Sequence, residues 1–485
     1  MSAFTRRRFI QAAAVGGAAS VAPFRALAMQ TATAAEKAAG YGPLVDKGDL
    51  FLPAAFNYQI ISRQGEPMND GRPTPGIFDG MGAFIGTAGA TTLIRNHENR
   101  EQAGEQKVVT GPGLEYDPAA FGGNTKLEVV RTKTGERDPA TGQPLYAYEV
   151  VNQFAILGGT STNCAGGYAP PKKWITCEEV VKRTNGIKHG YAFEIDSRSD
   201  VPVAAIPIRS AGRRAHEAAF WLDKALYMTE DRRIAGTGGS CFYRWVPDSA
   251  VGASGNLADV SGVLLAAKLR SEPRANMDVG RVVGQPYPVE WVTVDEPDHD
   301  DDTDNRRDRV PGFTPNRFQA QDKGACFFDR LEGMWVDHGK LYFAATAGGP
   351  ADLGQVWEYD QGRETLTLIY ESSSAATLQS PDNVVIVPQT GDIFLQEDGP
   401  GDQYVRGVTQ DGRIYDFAKT GANDSEFCGG CFDPDGQTFY LNQQGGRGSL
   451  PHGPVNDAGV TYAIYGPFAQ RDSNRSRSFG NGPAR

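Results

Sequence analysis

Four acidic residues occur at comparable places along the chain, each at or just before the start of a short apolar run: Glu217, Glu332, Asp382 and Glu426. Carboxylates that are brought close together raise one another's pKa and destabilise a fold unless cations neutralise them. If the fold gathers these residues, the pattern therefore predicts a bound metal. Carboxylate oxygens are hard ligands, which suit Ca²⁺.

Other potential ligands lie in short clusters that a packed core does not need: Asn96-His97-Glu98, Asn163-Cys164, Cys177-Glu178-Glu179, His216-Glu217 and Glu230-Asp231-Arg232. Each residue taken alone could equally be a turn cap, a buried thiol or a solvated acid, and only the recurrence favours a metal site. A thiolate such as that of Cys164 favours a transition metal such as iron at part of the site, since sulfur is a poor Ca²⁺ ligand.

Arg330 stands two residues before Glu332 and is a candidate anion ligand. A guanidinium can donate two parallel hydrogen bonds to phosphate oxygens. The alternative is an ordinary salt bridge to one of the neighbouring acids, which the sequence favours equally.

A repeated layout accounts for the spacing of these residues: an acid, an apolar strand, a turn with Asp or Gly, a second apolar strand and a polar end. Six copies occur, over residues 79–98, 164–179, 217–231, 332–346, 382–398 and 426–442. Strand-turn-strand units at irregular spacing predict an all-β fold, a β-propeller with six blades and loop insertions. Residues that precede the innermost strands would then ring the mouth of the central channel. The alternative is a pair of β-sandwiches.

The N-terminus has the composition of an export signal. Arg6, Arg7 and Arg8 precede a weakly apolar run that ends in Ala26-Leu27-Ala28, which predicts a twin-arginine signal over residues 1–28 and a single catalytic domain over residues 29–485. We therefore expect the twin-arginine export machinery as a partner and a periplasmic or secreted location. No later segment is long and apolar enough to predict a membrane span.

The charge of the chain disfavours nucleic acid as a partner. The signal contains four arginines and no acids, so its removal changes the formal net charge from -11 to -15. Such a surface repels nucleic acid and anionic lipid. An anionic substrate would consequently need metal or arginine at its site.

Two local sequences are interpreted as structural. Cys428-Gly-Gly-Cys431 is a lone close pair of cysteines, which favours a tight disulfide or two buried thiols over a metal site. The acidic run of residues 295–304 lacks the central Gly and terminal Glu of an EF-hand, which favours a solvated insertion over a calcium loop.

Short motifs that contain the candidate ligands recur along most of the chain. In chain order they are Leu93–Glu98, Gly159–Gly167, Trp174–Glu179, Gly212–Glu217, Thr229–Arg232, Arg330–Gly333, Pro381–Asn383, Glu397–Gly399 and Glu426–Phe427. Together with the export signal, this ordered set resembles the PhoX-type alkaline phosphatase family of bacteria. The resemblance implies a β-propeller that holds iron and calcium at the channel mouth and hydrolyses phosphate monoesters.

Position by position, the resemblance implies a set of site residues. Those that look like metal ligands are Cys164, Glu179, Glu217, Glu332, Asp398 and Glu426. Asn96 and Arg330 look like phosphate contacts.

Alternative functions share much of this pattern. A calcium-propeller lactonase or phosphodiesterase would have similar acids at the channel mouth, and a non-catalytic binding propeller could use calcium structurally. The sequence contains no Gly-x-Ser-x-Gly elbow, Walker loop or His-Glu-x-x-His motif, which disfavours serine hydrolases, P-loop NTPases and zincins.

Overall fold

The computed structural model describes residues 37–248, 255–421, 424–445 and 458–471. The predicted export signal lies outside these ranges. Within them strands predominate, and the α-helices are short: α1 at Ile234–Thr237 and α2 at Asn316–Asp322. The all-β prediction is confirmed. No helix in the described part of the chain is long and apolar enough to cross a membrane.

The strands of the described ranges have the following bounds. They are β1 Leu44–Asp46, β2 Leu50–Pro53, β3 Asn57–Arg63, β4 Phe78–Ile85, β5 Thr91–His97, β6 Gly122–Arg137, β7 Pro144–Thr160, β8 Asn163–Ala169, β9 Lys173–Glu178, β10 Lys182–Thr184, β11 Ile187–His189, β12 Ala192–Asp196, β13 His216–Leu222, β14 Ala225–Glu230, β15 Tyr243–Pro247, β16 Gly262–Leu269, β17 Pro286–Thr293, β18 Leu331–Asp337, β19 Lys340–Ala345, β20 Gln355–Asp360, β21 Thr365–Glu371, β22 Pro381–Ile386, β23 Ile393–Glu397, β24 Tyr404–Val408, β25 Ile414–Thr420, β26 Phe427–Phe432, β27 Thr438–Gln443 and β28 Val460–Tyr465.

These strands form antiparallel sheets that follow one another along the chain. The sheet orders are β4-β5-β6-β7, then β8-β9-β12, then β13-β14-β15-β16-β17-β21-β20-β19-β18, then β22-β23-β24-β25-β2-β1, and β26-β27-β28-β3, with β10-β11 as a separate hairpin. Strand β3 pairs with β28, so strands from the two ends of the described chain lie in one sheet.

The six predicted strand-turn-strand units are all antiparallel hairpins, formed by β4/β5, β8/β9, β13/β14, β18/β19, β22/β23 and β26/β27. The first strands of these hairpins lie side by side in the cyclic order β4, β8, β13, β18, β22, β26, and β26 contacts β4 again. The same end of every hairpin therefore faces one central region.

Apolar side chains fill the spaces between successive sheets. One cluster contains Phe220, Phe242, Phe343 and Trp357, all of which are buried. The rings of Phe242 and Phe343 stack with their centroids 4.8 Å apart. Large aromatic side chains bury much apolar area, so these clusters hold neighbouring hairpins in fixed positions.

The acidic insertion differs from the solvated segment expected from its sequence. Asp301 is buried and accepts hydrogen bonds from the backbone N–H groups of Thr303, Asn305 and Arg306. Asp304 is also buried, and its carboxylate contacts Arg317 Nη1 at 2.9 Å. The prediction of a solvated insertion is therefore wrong for these two residues, because arginines and backbone amides neutralise them.

Candidate metal centre

A β-bulge interrupts the first strand of every hairpin, which we call its inner strand, at the same place. The register shifts lie at Phe78/Met81, Asn163/Gly166, His216/Ala219, Leu331/Met334, Pro381/Val384 and Cys428/Cys431. The first residues inside these bulges are Asp79, Cys164, Glu217, Glu332, Asp382 and Gly429. A bulge bends the strand and redirects a side chain. Five of the six bulges thus present a carboxylate or a thiol.

The second residue of five of the six bulges is glycine or alanine, which lets the inner strands approach closely. These residues are Gly80, Ala165, Ala218, Gly333 and Gly430, and the sixth is Asn383. A Cβ atom on Gly333 would lie 2.7 Å from both Asn383 Cα and Asp382 O. A Cβ atom on Gly80 would lie 2.9 Å from Ala165 Cα. Close backbone approach therefore brings the neighbouring carboxylates together.

We expect Gly333→Ala to lower the free energy of unfolding by about 1–3 kcal/mol, since the added methyl group overlaps the backbone of the adjacent inner strand. Gly362→Ala is the matched control, because its Cβ would meet only Asp360 Oδ1 at 3.5 Å. Denaturant unfolding of both variants measures the difference. Equal stability of the two would show that the inner strands are not in tight contact.

Three groups of potential ligand atoms result, and within each group the atoms lie within 4.8 Å of one another. The groups are Glu98 with Cys164 and Glu179, Glu217 with Glu332 and Asp382, and Asp79 with Glu426 and Cys428. The sulfur of Cys164 lies 3.5 Å from Asp79 Oδ2, which joins two of the groups.

Five of the six residues that the sequence proposes as metal ligands lie in these groups: Cys164, Glu179, Glu217, Glu332 and Glu426. The sixth, Asp398, lies beside Glu426 and Asp382, and its charge and its hydrogen bond both raise the pKa of Glu426. All six therefore lie in one region, which we call the metal centre together with Glu98, Asp79, Asp382 and Cys428.

Burial and mutual repulsion shift the titration of the metal centre. Burial, with the nearby Glu332 carboxylate, holds the pKa of Glu217 well above its usual value. Burial is also the main cause that raises the pKa of Asp79 and of Glu179 to about 7. It raises the pKa of the Cys164 thiol as well. Without cations, these groups tend to hold protons at neutral pH.

The donor atoms fit bound cations. Both carboxylate oxygens of the buried Glu217 lack a hydrogen-bond partner among the described residues. An unsatisfied buried carboxylate is strongly unfavourable, and a metal ion would satisfy it. The donors combine several hard oxygens with the sulfurs of Cys164 and Cys428, a set that accommodates both Ca²⁺ and a transition metal.

Arg330 lies at the edge of the metal centre with 29% of its side chain exposed. Its Nε and Nη2 atoms donate to Asp231 at 2.8 and 3.1 Å. Nη2 is also 2.7 Å from Glu332 Oε1, an ion pair without hydrogen-bond geometry. Asp231 thereby fixes the plane of the guanidinium, and Nη1 makes no hydrogen bond within the described residues. The salt-bridge interpretation of Arg330 therefore applies. Its role as a phosphate contact stays a prediction, for which Nη1 is the available donor.

Asn96 differs from the phosphate contact expected from the sequence. Its side chain is buried and donates to the carbonyl oxygens of Cys164 and Ala165 at 2.5 and 2.9 Å. Its Oδ1 accepts hydrogen bonds from Trp174 Nε1 and Asn124 Nδ2. Both donors of the amide are used within the protein, so in this structure Asn96 holds the Cys164 bulge in place. Its contact with phosphate stays a prediction.

The structure adds residues that the sequence did not select as ligands. Asp79 and Glu98 belong to the metal centre, and Cys428 does too, although the cysteine pair was interpreted as structural. Cys428 and Cys431 are both free and buried, so the disulfide alternative does not apply and two buried thiols remain. Arg100 is a second partly exposed arginine, and it contacts Glu179 Oε2 at 3.2 Å. A signal was available for Asp79, because it precedes a glycine at the start of a hairpin, as Glu332 does.

Residues 39–446 match the family model described as alkaline phosphatase PhoX. The chain belongs to the PhoX family. This membership confirms the resemblance found in the ordered motifs and the phosphatase class that it implied. The matched range contains all six hairpins.

Among solved structures, the chain is similar to Pseudomonas fluorescens PhoX in complex with vanadate, a transition state analogue, with 17% identity, a TM-score of 0.62, and coverage of 87% of this chain and 97% of that chain. At this identity the similarity concerns the fold. A putative 6-phosphogluconolactonase from Bacteroides fragilis has 11% identity, a TM-score of 0.28, and coverage of 70% and 94%. No curated protein matches the chain in sequence.

Proposed function

We propose that this protein hydrolyses phosphate monoesters, with metal ions bound by the metal centre. One observation carries the proposal: carboxylates and thiols from all six hairpins converge beside a partly exposed arginine, and Glu217 keeps both buried oxygens unpartnered. A binding propeller with structural calcium would not need a free guanidinium donor at this place. Membership in the PhoX family supports the same activity.

The ligand atoms of the three groups differ, and the difference favours different metal ions in different groups. Glu217, Glu332 and Asp382 offer only oxygen, which suits Ca²⁺, whereas Cys164 with Glu98 and Glu179 offers sulfur and suits iron. Glu426, with Asp398 and Asp79 nearby, extends the oxygen ligands. When bound, the cations would polarise the phosphoryl group and lower its negative charge.

The side chains of the protein itself position the substrate. Arg330 has a partly exposed side chain, and its Nη1 makes no hydrogen bond within the described residues. Nη1 can therefore donate to a phosphoryl oxygen and stabilise the charge that develops during hydrolysis. Asp231 holds the guanidinium by two hydrogen bonds, so little rotational freedom is lost on binding. Asn96 acts indirectly, by fixing the backbone of the Cys164 bulge.

The six hairpins are, on this proposal, the inner parts of six propeller blades in one domain. A shared backbone hydrogen bond supports their equivalence. It joins the residue after each second strand to the residue before each inner strand: Glu98 N to Ile77 O, Glu179 N to Thr162 O, Asp231 N to Ala215 O, Thr346 N to Arg330 O, Asp398 N to Ser380 O and Gln444 N to Glu426 O. Arg330 and Glu426 thus occupy the same position of the repeat.

Export by the twin-arginine route to the periplasm or outside the cell is part of the proposal. The arginines and the small-residue cleavage pattern within residues 1–28 support it. This route carries folded proteins, which suits a metal centre whose ligands come from separate hairpins.

Hydrolysis of p-nitrophenyl phosphate with and without EDTA tests the proposal. We expect chelation to lower the rate about tenfold or more, because cations neutralise the metal centre and the phosphoryl group. Adding back Ca²⁺, iron or both, with elemental analysis of each sample, identifies the metals. Turnover that resists the chelator, or lactone hydrolysis without phosphatase activity, would contradict the proposal.

A further inference from the structure

A cavity of about 230 Å³ is lined in part by Ile234 of α1 and by Phe318 and Gln321 of α2. Its lining residues include three arginines, Arg274, Arg307 and Arg309, and no acidic residue. Two aromatic rings, Phe318 and Phe327, form its apolar wall. None of the lining residues belongs to the metal centre. We call this cavity the arginine pocket.

The arginines of this pocket have few counter-charges. Arg274 has neither an ion pair nor a side-chain hydrogen bond within the described residues. Arg307 donates only to a backbone carbonyl, that of Gly236, at 2.6 Å. Arg309 forms the one ion pair, with Asp322. Cations gathered this closely repel one another, so an anion that enters the pocket would be stabilised.

The ring of Phe318 holds the guanidiniums in place. The Cζ atoms of Arg307 and Arg309 lie 5.4 and 5.7 Å from its centroid. Arg317 lies against the same ring at 4.6 Å and is anchored by Asp304 and Glu230. These contacts are cation–π interactions, which orient a guanidinium without neutralising it. The remaining donors of Arg307 therefore stay available to a ligand. Those of Arg274 are available because its side chain makes no ion pair or hydrogen bond within the described residues.

The chemistry of the pocket selects the ligand. Planar forks of N–H groups match the oxygens of phosphate-type anions. The volume is below the roughly 300–1,000 Å³ of most small-molecule pockets, which favours a compact anion over a nucleotide. The overall charge of -11 would repel such an anion elsewhere on the protein, so the pocket is a local exception.

We infer that the arginine pocket is a second anion site, separate from the metal centre, that binds a phosphate group. The group belongs either to inorganic phosphate or to a small organic phosphate whose apolar part lies against Phe327. This site does not require the metal centre to be a phosphatase site, because it shares no residue with it.

Calorimetric titration of the metal-loaded protein at constant ionic strength tests the inference, with inorganic phosphate as the probe. The wild type should bind at two sites, and the double variant Arg274→Gln and Arg307→Gln should lose one of them, with affinity reduced about tenfold or more. Arg330→Ala should retain that site. Arg363→Gln, an exposed arginine next to Asp360, is the matched control and should bind like the wild type.

Phenylphosphonate, which is not hydrolysed, distinguishes the two sources of the phosphate group. Tighter binding than inorganic phosphate at the arginine pocket indicates an organic phosphate, and equal or weaker binding indicates the free ion. If the double variant is folded by circular dichroism and binds phosphate exactly as the wild type does, the inference is overturned. Hydrolysis of p-nitrophenyl phosphate by the double variant reports separately on the metal centre.

Discussion

Replacing Arg330 by alanine is expected to lower kcat for p-nitrophenyl phosphate by about 10²–10³-fold, the usual effect of removing one preorganised donor from a transition state. The donor is preorganised because Asp231 accepts from both Nε and Nη2. The effect on KM should be smaller, because the donor stabilises charge that is greatest in the transition state. Steady-state kinetics on metal-loaded protein measures both constants.

Arg233→Ala is the matched control for this variant. Arg233 follows Asp231 by two positions, but its side chain is 48% exposed and pairs with Asp352 on the surface. Its removal should leave kcat unchanged. Arg330→Lys should restore only part of the rate, because an ammonium group cannot donate to Asp231 and to phosphate in the same plane. If Arg330→Ala keeps its metal content and its kcat, Arg330 has only a structural role as the partner of Asp231 and Glu332.

The hairpins could be predicted from the sequence because their signals are local. An apolar strand, a turn with Asp or Gly and a second apolar strand suffice to identify β13/β14 or β18/β19. The acidic residues at the starts of the first strands could also be identified from the sequence. Their convergence followed from assuming that equivalent ends of repeated units meet, and the contacts between the inner strands agree with that assumption.

The ligand set was harder to predict because it depends on backbone geometry. Strict alternation along a strand does not say that Glu217 enters a bulge, and the neighbouring His216 instead bonds to the carbonyl of Gly212 at 3.0 Å within the core. Cys428 has the sequence of a structural thiol pair, yet a strand from the other end of the chain brings Asp79 to it. Such contact between strands that are distant in the sequence leaves no local signal.

The hydrogen-bond partners of Asn96 could not be predicted for a related reason. A polar residue next to predicted ligands was taken to face the substrate, but its partners are Cys164 on β8 and Trp174 on β9, the adjacent hairpin. The burial of Asp304 in the acidic insertion also depends on a partner in another element, because Arg317 of α2 follows it by thirteen residues. Burial and long-range partners, and not residue type, decide these roles.

Replacing Glu217 by glutamine is expected to have opposite effects on the metal-loaded and metal-free protein. With metals, phosphatase activity should fall by about 10³-fold or more, because several kcal/mol of charge stabilisation is lost with the ligand. Without metals, the free energy of unfolding should rise by about 1–3 kcal/mol, because a buried carboxylate with two unpartnered oxygens is removed. Elemental analysis and denaturant unfolding in EDTA measure the two effects.

The pH dependence of the metal-free protein gives this prediction a second readout. Burial and the Glu332 carboxylate raise the pKa of Glu217 in the folded state. The folded state therefore binds more protons than the unfolded state, and metal-free wild type should lose stability as the pH rises above the unfolded value of about 4.3. Glu217→Gln removes one group that titrates in this way, so its stability should fall less steeply over the same range.

Glu230→Gln is the control, because Glu230 lies on the same hairpin and is equally buried. Unlike Glu217 it has partners: Tyr243 donates to its Oε2 at 2.7 Å, and Arg317 lies 3.4 Å from its Oε1. Its replacement should destabilise the metal-free protein by about 1–3 kcal/mol, the reverse of the effect at Glu217. If both variants lose stability in EDTA, Glu217 has a partner of its own in the metal-free fold, and the carboxylates of the inner strands do not require cations.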